Sequence, residues 1–359
     1  MTRLDNIDIL FRCDGNSDIG SGHIMRCISI ADAALASGRS CAFLTASDDF
    51  FHVITQHGHM CRVLQSNYRN MESDAGDTRR AIRNLEPKTL FVDSYYVTAG
   101  YLSSLRELCH TADITLVYID DILAFPYCCD VLVNYNIYGP DKETDYQRIY
   151  EDSGMKTPRL LLGPVYAPLR AEFQNLPPRS TERNVRNILV STGGADAGHV
   201  GLHLIREIIR RGKQLSQLQF QFIVGSVNED APDIRALAHG VSNITLHSDV
   251  KNMSKLMCAC DLAVSAAGST LYELCATQTP AVTYILADNQ IPGAEGFERH
   301  GVLKNCGDVR TCGGEVLAQR LIGEVTDLAG RFHKRIEISQ KQRDMVDGMG
   351  ALRMIEALR

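Results

Sequence analysis

Short β-rich runs alternate with helix-length segments along nearly the whole chain, and the alternation breaks once, at a proline-rich stretch near the middle. Strands joined by helices imply βαβ crossovers and a mostly parallel sheet. The first series opens with Ile7–Cys13 and stops at Asp14-Gly15-Asn16-Ser17. It continues through Cys41–Thr45, Cys61–Leu64, Thr89–Val92, Ile114–Tyr118 and Val131–Val133. Between the first two, apolar residues at Ile24, Cys27, Ile28, Ala31, Ala34 and Leu35 recur at helical spacing, and Gly38 stands where a helix would end. After Gly163-Pro164 and Pro177-Pro178 the pattern restarts with Asn187–Thr192, Phe220–Val224, Asn243–Leu246, Leu262–Ser265 and Ala281–Ile285. The tail from Arg331 to Arg359 reads as helical, with Met345, Met349, Leu352 and Ile355 apolar. The expected architecture is α/β, two Rossmann-type parallel-sheet domains facing across a cleft: 1–165, a linker at 166–185, 186–345, and a C-terminal helix at 346–359. At 359 residues the chain has room for two such domains.

Several classes drop out. A formal net charge of −6 gives no support to a nucleic-acid surface. No apolar run approaches the roughly 18 residues of a membrane helix, and Asp5 and Asp8 interrupt any secretory core at the N-terminus. A cytoplasmic protein is expected. The 12 cysteines are scattered through apolar segments without zinc spacing, so they read as buried thiols. His52, His57, His59 and His110 lack neighbours at ligand spacing and read as surface residues; no metal or cofactor is expected.

In open α/β sheets ligands bind beyond the carboxyl ends of the strands, so residues just after strands carry the functional argument. Arg12-Cys13-Asp14 is followed by Gly20-Ser21-Gly22-His23, with Arg26 on the same helical face as His23. Glycines there permit a tight turn, and a helix N-terminus disfavours a protonated imidazole, which suits a general base. A capping or packing histidine is the alternative. Asp93-Ser94-Tyr95 follows another strand; Asp93 orients an imidazole or a substrate hydroxyl, or is a plain turn residue. Asp120-Asp121 reads as a polar loop. In the second series, Thr192-Gly193-Gly194-Ala195-Asp196 and Ala266-Ala267-Gly268-Ser269-Thr270 are either anion cradles or ordinary tight turns. No P-loop or dinucleotide fingerprint is present.

Taken in order, Phe11–Asp14, Ile19–Arg26, Asp93-Ser94-Tyr95, Gly163–Arg170, Ser191–Asp196, Ala266–Glu273 and Asn289-Gln290 resemble the UDP-sugar hydrolases of pseudaminic acid biosynthesis. Those enzymes cleave UDP-2,4-diacetamido-2,4,6-trideoxy-β-L-altropyranose, in a route that leads to flagellin glycosylation, and have a GT-B-like fold. The resemblance implies His23 as the base that activates water, Asp14 as a candidate to orient it, and Tyr95 beside the reacting sugar. It places substrate contacts at Arg12, Gly20, Gly22, Arg26, Asp93, Gly193 and Gly194. Further contacts fall at Ala267, Gly268, Ser269, Thr270, Glu273, Asn289 and Gln290, with the Gly268 loop on the diphosphate and Glu273 on the ribose. The family usually has His where this chain has Ser94. With Arg359 closing the second domain, no fused acetyltransferase is expected, and a monomer acting on a small UDP-sugar suffices. The alternatives are a GT-B glycosyltransferase, disfavoured by the lack of a basic and apolar patch in the first 150 residues, and a non-catalytic nucleotide-sugar binding protein.

Overall fold

The computed structural model describes residues 7–16, 18–225 and 227–358. Expectations placed on Asp5, Ser17 and Arg359 lie outside them. The chain divides into two compact units, Met1–Ala171 together with Met349–Arg359, and Glu172–Gly348. The boundary falls inside the stretch expected as a linker, and the last helix belongs with the first unit.

The first unit holds a seven-stranded sheet of β1 (Ile9–Cys13), β2 (Cys41–Thr45), β3 (Met60–Val63), β4 (Thr89–Asp93), β5 (Thr115–Ile119), β6 (Val131–Asn134) and β7 (Arg159–Leu162). Its order is β3-β2-β1-β4-β5-β6-β7, and every pair is parallel. Helices cover a parallel sheet on both faces, so its central strands need no polar side: β1, β2 and β4 are buried at every position. Phe11 stacks between Phe43 and Phe91, at 4.9 and 5.0 Å, because the register sets the three residues side by side.

The second unit holds β8 (Asn187–Ser191), β9 (Gln219–Ile223), β10 (Ile244–His247), β11 (Leu262–Ala266), β12 (Ala281–Ile285) and β13 (Leu303–Asp308), in the order β10-β9-β8-β11-β12-β13. Its core draws Ile188, Val190, Phe220, Val264 and Tyr284 from strands, and Leu204, Leu317 and Leu321 from helices. Both orders reverse direction once, between β1 and β4 and between β8 and β11. Those reversals are the topological switch points where a doubly wound sheet leaves a crevice for ligand.

The helix Gly22–Ala36 forms as its spacing predicts and ends in a left-handed Gly38, φ +77°. Leu35 departs from the expected stripe and lies exposed. The tail is helical in two pieces. Phe332–Met345 and Gly350–Ala357 are separated by a turn through Gly348, φ +82°. Among the described residues no helix is long and apolar enough to cross a membrane.

Candidate active site

The first switch point brings two expected segments together. After β1 the chain closes a small loop: Asn16 bridges Gly20, and the Asn16 carboxamide oxygen accepts from the backbone of Asp18 and Ile19. Gly20 takes the left-handed conformation this turn demands, φ +73°. The helix then starts, with His23 in its first turn and buried. Asp93 is the last residue of β4, level with Cys13 of β1. His23 Nδ1 lies 2.6 Å from Asp93 Oδ1. An ionised carboxylate only accepts, so Nδ1 carries the proton, and in the neutral imidazole Nε2 keeps its lone pair. The Tyr95 ring meets the imidazole edge-on, with centroids 4.4 Å apart, and is itself partly exposed.

Arg26, one turn along the helix, grips the same carboxylate through Nε and Nη2, both at 2.6 Å. Burial alone would raise the Asp93 carboxyl, but the charge of Arg26 and then that of His23 outweigh it and hold it well below the usual range. Arg26 also donates to Asp121 at 2.8 Å and to Tyr135 at 3.0 Å. Asp121 in turn accepts from the Tyr95 hydroxyl at 2.9 Å and from Asn136 at 2.8 Å. The site is therefore wider than sequence reasoning drew it. In the sequence Asp121 reads as part of a polar loop, and the one signal that points to it is that it follows β5. Its neighbour Asp120 does have a structural role, accepting from Tyr127 and Tyr146.

Asp14 and Arg12 depart from the expected roles. Asp14 does not orient His23: it pairs with Arg12 at 2.7 Å and accepts from the Ala46 backbone at 2.6 Å. Asp93 holds the orienting position instead. Arg12 is fully buried, bound to Asp14 and Asp74, and so has no access to a substrate. Both residues brace the strand ends beneath the site. Ser94, where a histidine is usual, turns inward and its hydroxyl accepts from the Tyr96 backbone. His57 and His59 are not free surface residues, since both bond Asp32 at 2.8 Å and His59 is buried.

In the second unit the loops after β8 and β11 flank the other switch point. The donors at the start of the helix Val200–Arg211 are already engaged, because Asp196 accepts from Val200 and Gly201 at 3.0 and 2.7 Å. A carboxylate thus occupies the place an anion would take, although Gly193 and Gly194 remain exposed beside it. After β11, Ala267 and Gly268 direct their amides to the Tyr284 and Ala266 carbonyls. The donors this loop offers a ligand are therefore those of Ser269 and Thr270, at the start of the short helix Thr270–Ala276 that carries Glu273. Asn289 is exposed, whereas the Gln290 carboxamide oxygen accepts from Leu286. Among the described residues no group of three His, Cys, Asp or Glu side chains is placed to hold a metal ion.

No protein-family model matches the chain. The chain is 22% identical over 354 residues to the spore coat polysaccharide biosynthesis protein SpsG of Bacillus subtilis, covering 96% of each. It is 24% identical over 266 residues to the UDP-2,4-diacetamido-2,4,6-trideoxy-β-L-altropyranose hydrolase of Campylobacter jejuni, covering 74% of this chain and 86% of that one. An uncharacterised protein of Methanocaldococcus jannaschii is 25% identical over 288 residues, 77% of this chain. The chain spans only about half of that archaeal protein, 55%. Among solved structures, a glycosyltransferase from Rickettsia africae superposes with a TM-score of 0.62 at 13% identity, covering 99% and 98% of the two chains. A UDP-GlcNAc 2-epimerase from Neisseria meningitidis gives 0.64 at 12% identity, covering 98% and 99%. The fold is thus the two-sheet α/β fold of GT-B glycosyltransferases, shared by proteins of different activity. By sequence the chain is thus similar to a UDP-2,4-diacetamido-2,4,6-trideoxy-β-L-altropyranose hydrolase and to an SpsG protein.

Proposed function

We propose that the protein hydrolyses a UDP-linked diacetamido sugar, releasing UDP by attack of water at the anomeric carbon. The observation that carries this reading is the His23–Asp93 pair, which leaves Nε2 bare beside Tyr95 at a sheet's switch point. In the proposed step Nε2 takes one proton from water while its oxygen bonds to carbon and the carbon–oxygen bond to UDP breaks. The positive charge that forms on the imidazole faces Asp93, which stays ionised throughout. Ser269 and Thr270 hold the leaving diphosphate, where each well-placed donor is worth roughly 3 kcal/mol, and Glu273 binds the ribose hydroxyls. The reading includes a metal-independent reaction by a cytoplasmic monomer, within pseudaminic acid synthesis and upstream of flagellin glycosylation.

Acceptor-free UDP release in EDTA and ¹⁸O-labelled water, with wild type and His23→Ala, tests it. Label in the sugar, with kcat lower by about 10²–10⁴-fold in the variant, is the expected result. Label in UDP would mean attack at phosphorus. The GT-B fold favours one second reading, transfer of the sugar to an acceptor. It takes over if UDP binds but is released only when an acceptor is supplied.

A further inference from the structure

Five side chains of the first unit close a circuit. His23 bonds Asp93 at 2.6 Å, Asp93 bonds Arg26 twice, Arg26 bonds Asp121 at 2.8 Å, Asp121 bonds the Tyr95 hydroxyl at 2.9 Å, and the Tyr95 ring returns to His23. The weak point of the circuit is Arg26. Its Nη2 lies 3.0 Å from His23 Nδ1. Both nitrogens carry hydrogen, so this is a contact between donors and not a hydrogen bond. A guanidinium that close opposes protonation of the imidazole. Asp93 offsets part of it while also orienting His23.

We infer that Asp121 is a positioning residue for the chemistry at His23, anchoring the Tyr95 hydroxyl and offsetting the charge of Arg26 so that the imidazole stays basic. This rests on the reading in which His23 is the base. Two carboxylates and one guanidinium leave the circuit with a single negative charge, which is neutralised when His23 takes a proton. Asp121 is well suited to this. It is largely buried, with 11% of its side chain exposed, and Asn136 fixes its second oxygen at 2.8 Å. The groups facing His23 are Asp93 from β4, Arg26 from its own helix and Tyr95 from the segment after β4. Behind Arg26 stand Asp121 after β5 and Tyr135 after β6, and the Cys27 thiol approaches Asp93 at 3.5 Å. Asp121 is the only negative charge among them besides Asp93.

The test is an NMR titration of the His23 imidazole without substrate, so it does not depend on the reaction being correctly assigned. Asp121→Asn, which keeps the shape and removes the charge, is expected to move the His23 titration to lower pH. Tyr95→Phe keeps every charge and is expected not to shift it downward. Should the new amide conflict with Asn136 and the variant fail to fold, Asp121→Ser makes the same charge change in less space. An unshifted His23 in a folded Asp121 variant would overturn the assignment. In the pH profile of UDP release, the acid limb should follow the titration downward in Asp121→Asn. A shift in the titration without UDP release by the wild type would remove the hydrolase reading and leave the charge coupling intact.

Discussion

At the scale of single residues, the site turns on which carboxylate holds the imidazole. Asp93→Asn should lower kcat by roughly 10²–10⁴-fold, because a carboxamide can donate to Nδ1 and stabilise the tautomer with its proton on Nε2. Steady-state kinetics with the variant check this; an unchanged kcat would remove Asp93 from the mechanism. The same substitution carries a signature in acid. The folded Asp93 carboxyl sits below its ordinary value of 3.8, so it contributes stability above that pH and loses it as pH falls. Wild type should therefore lose more stability than Asp93→Asn between about pH 5 and pH 3 in chemical denaturation. The sequence brought His23, Tyr95 and Asp93 into view because each stands just after a strand or opens a helix. It could not choose between Asp14 and Asp93 as the partner of His23. Both follow strands, and only the side-by-side pairing of β1 with β4 sends Asp14 to Arg12 and Asp93 to His23. Asp121 escaped for the same reason, since its partners lie 26 and 95 residues away.

At the scale of elements, the loop after β8 shows how one carboxylate changes what a motif means. Asp196 binds the first amides of the helix Val200–Arg211 from a left-handed backbone, φ +49°. Burial pushes its carboxyl up to about 6, against those two amides, which pull it down. A raised folded pKa gives stability that is fully present below the unfolded value of 3.8 and is lost as pH rises through about 6. Hydrogen exchange in that helix should therefore speed up from about pH 4 to pH 7, after correction for the intrinsic rate, by the equivalent of at most about 3 kcal/mol. Asp196→Asn should flatten the trend; a wild type with no trend would show that the amides outweigh burial. Elements were legible where both faces are buried. β1, β2 and β4 read directly from apolar runs. β13 did not, because Leu303-Lys304-Asn305-Cys306-Gly307-Asp308 is an edge strand burying only Leu303 and Cys306. Its hydrogen bonds to β12 define it, and composition does not record such pairing. β7 holds only a short apolar run, Leu160–Leu162, ahead of Gly163-Pro164.

At the scale of the whole molecule, the chain leaves its first unit at Ala171 and re-enters it at Met349. The turn that sends it back depends on Gly348. A side chain there would place Cβ 2.1 Å from the Phe173 carbonyl oxygen, on a backbone already at φ +82°. The returning helix, Gly350–Ala357, buries Ala351, Met354 and Ile355 and packs on Gly22–Ala36, the helix that carries His23 and Arg26. Arg353 donates to the Val165 carbonyl at 3.0 Å, while Arg159 caps the helix's C-terminal end at the Ala357 carbonyl. The expected apolar stripe of Met345, Met349, Leu352 and Ile355 includes the buried Ile355 but misses Met354, which is fully buried. Met354→Ala should therefore cost about 2–5 kcal/mol, and the cost should fall on one unit only. Amides of Gly22–Ala36 and β1 should exchange faster, while those of β8 and β11 in Glu172–Gly348 keep their wild-type rates. Because the loosened helix holds both members of the His23–Arg26 pair, UDP release should fail at a lower temperature in this variant than UDP binding. Equal acceleration of exchange in both units would instead mean that the tail stabilises the molecule as one cooperative body.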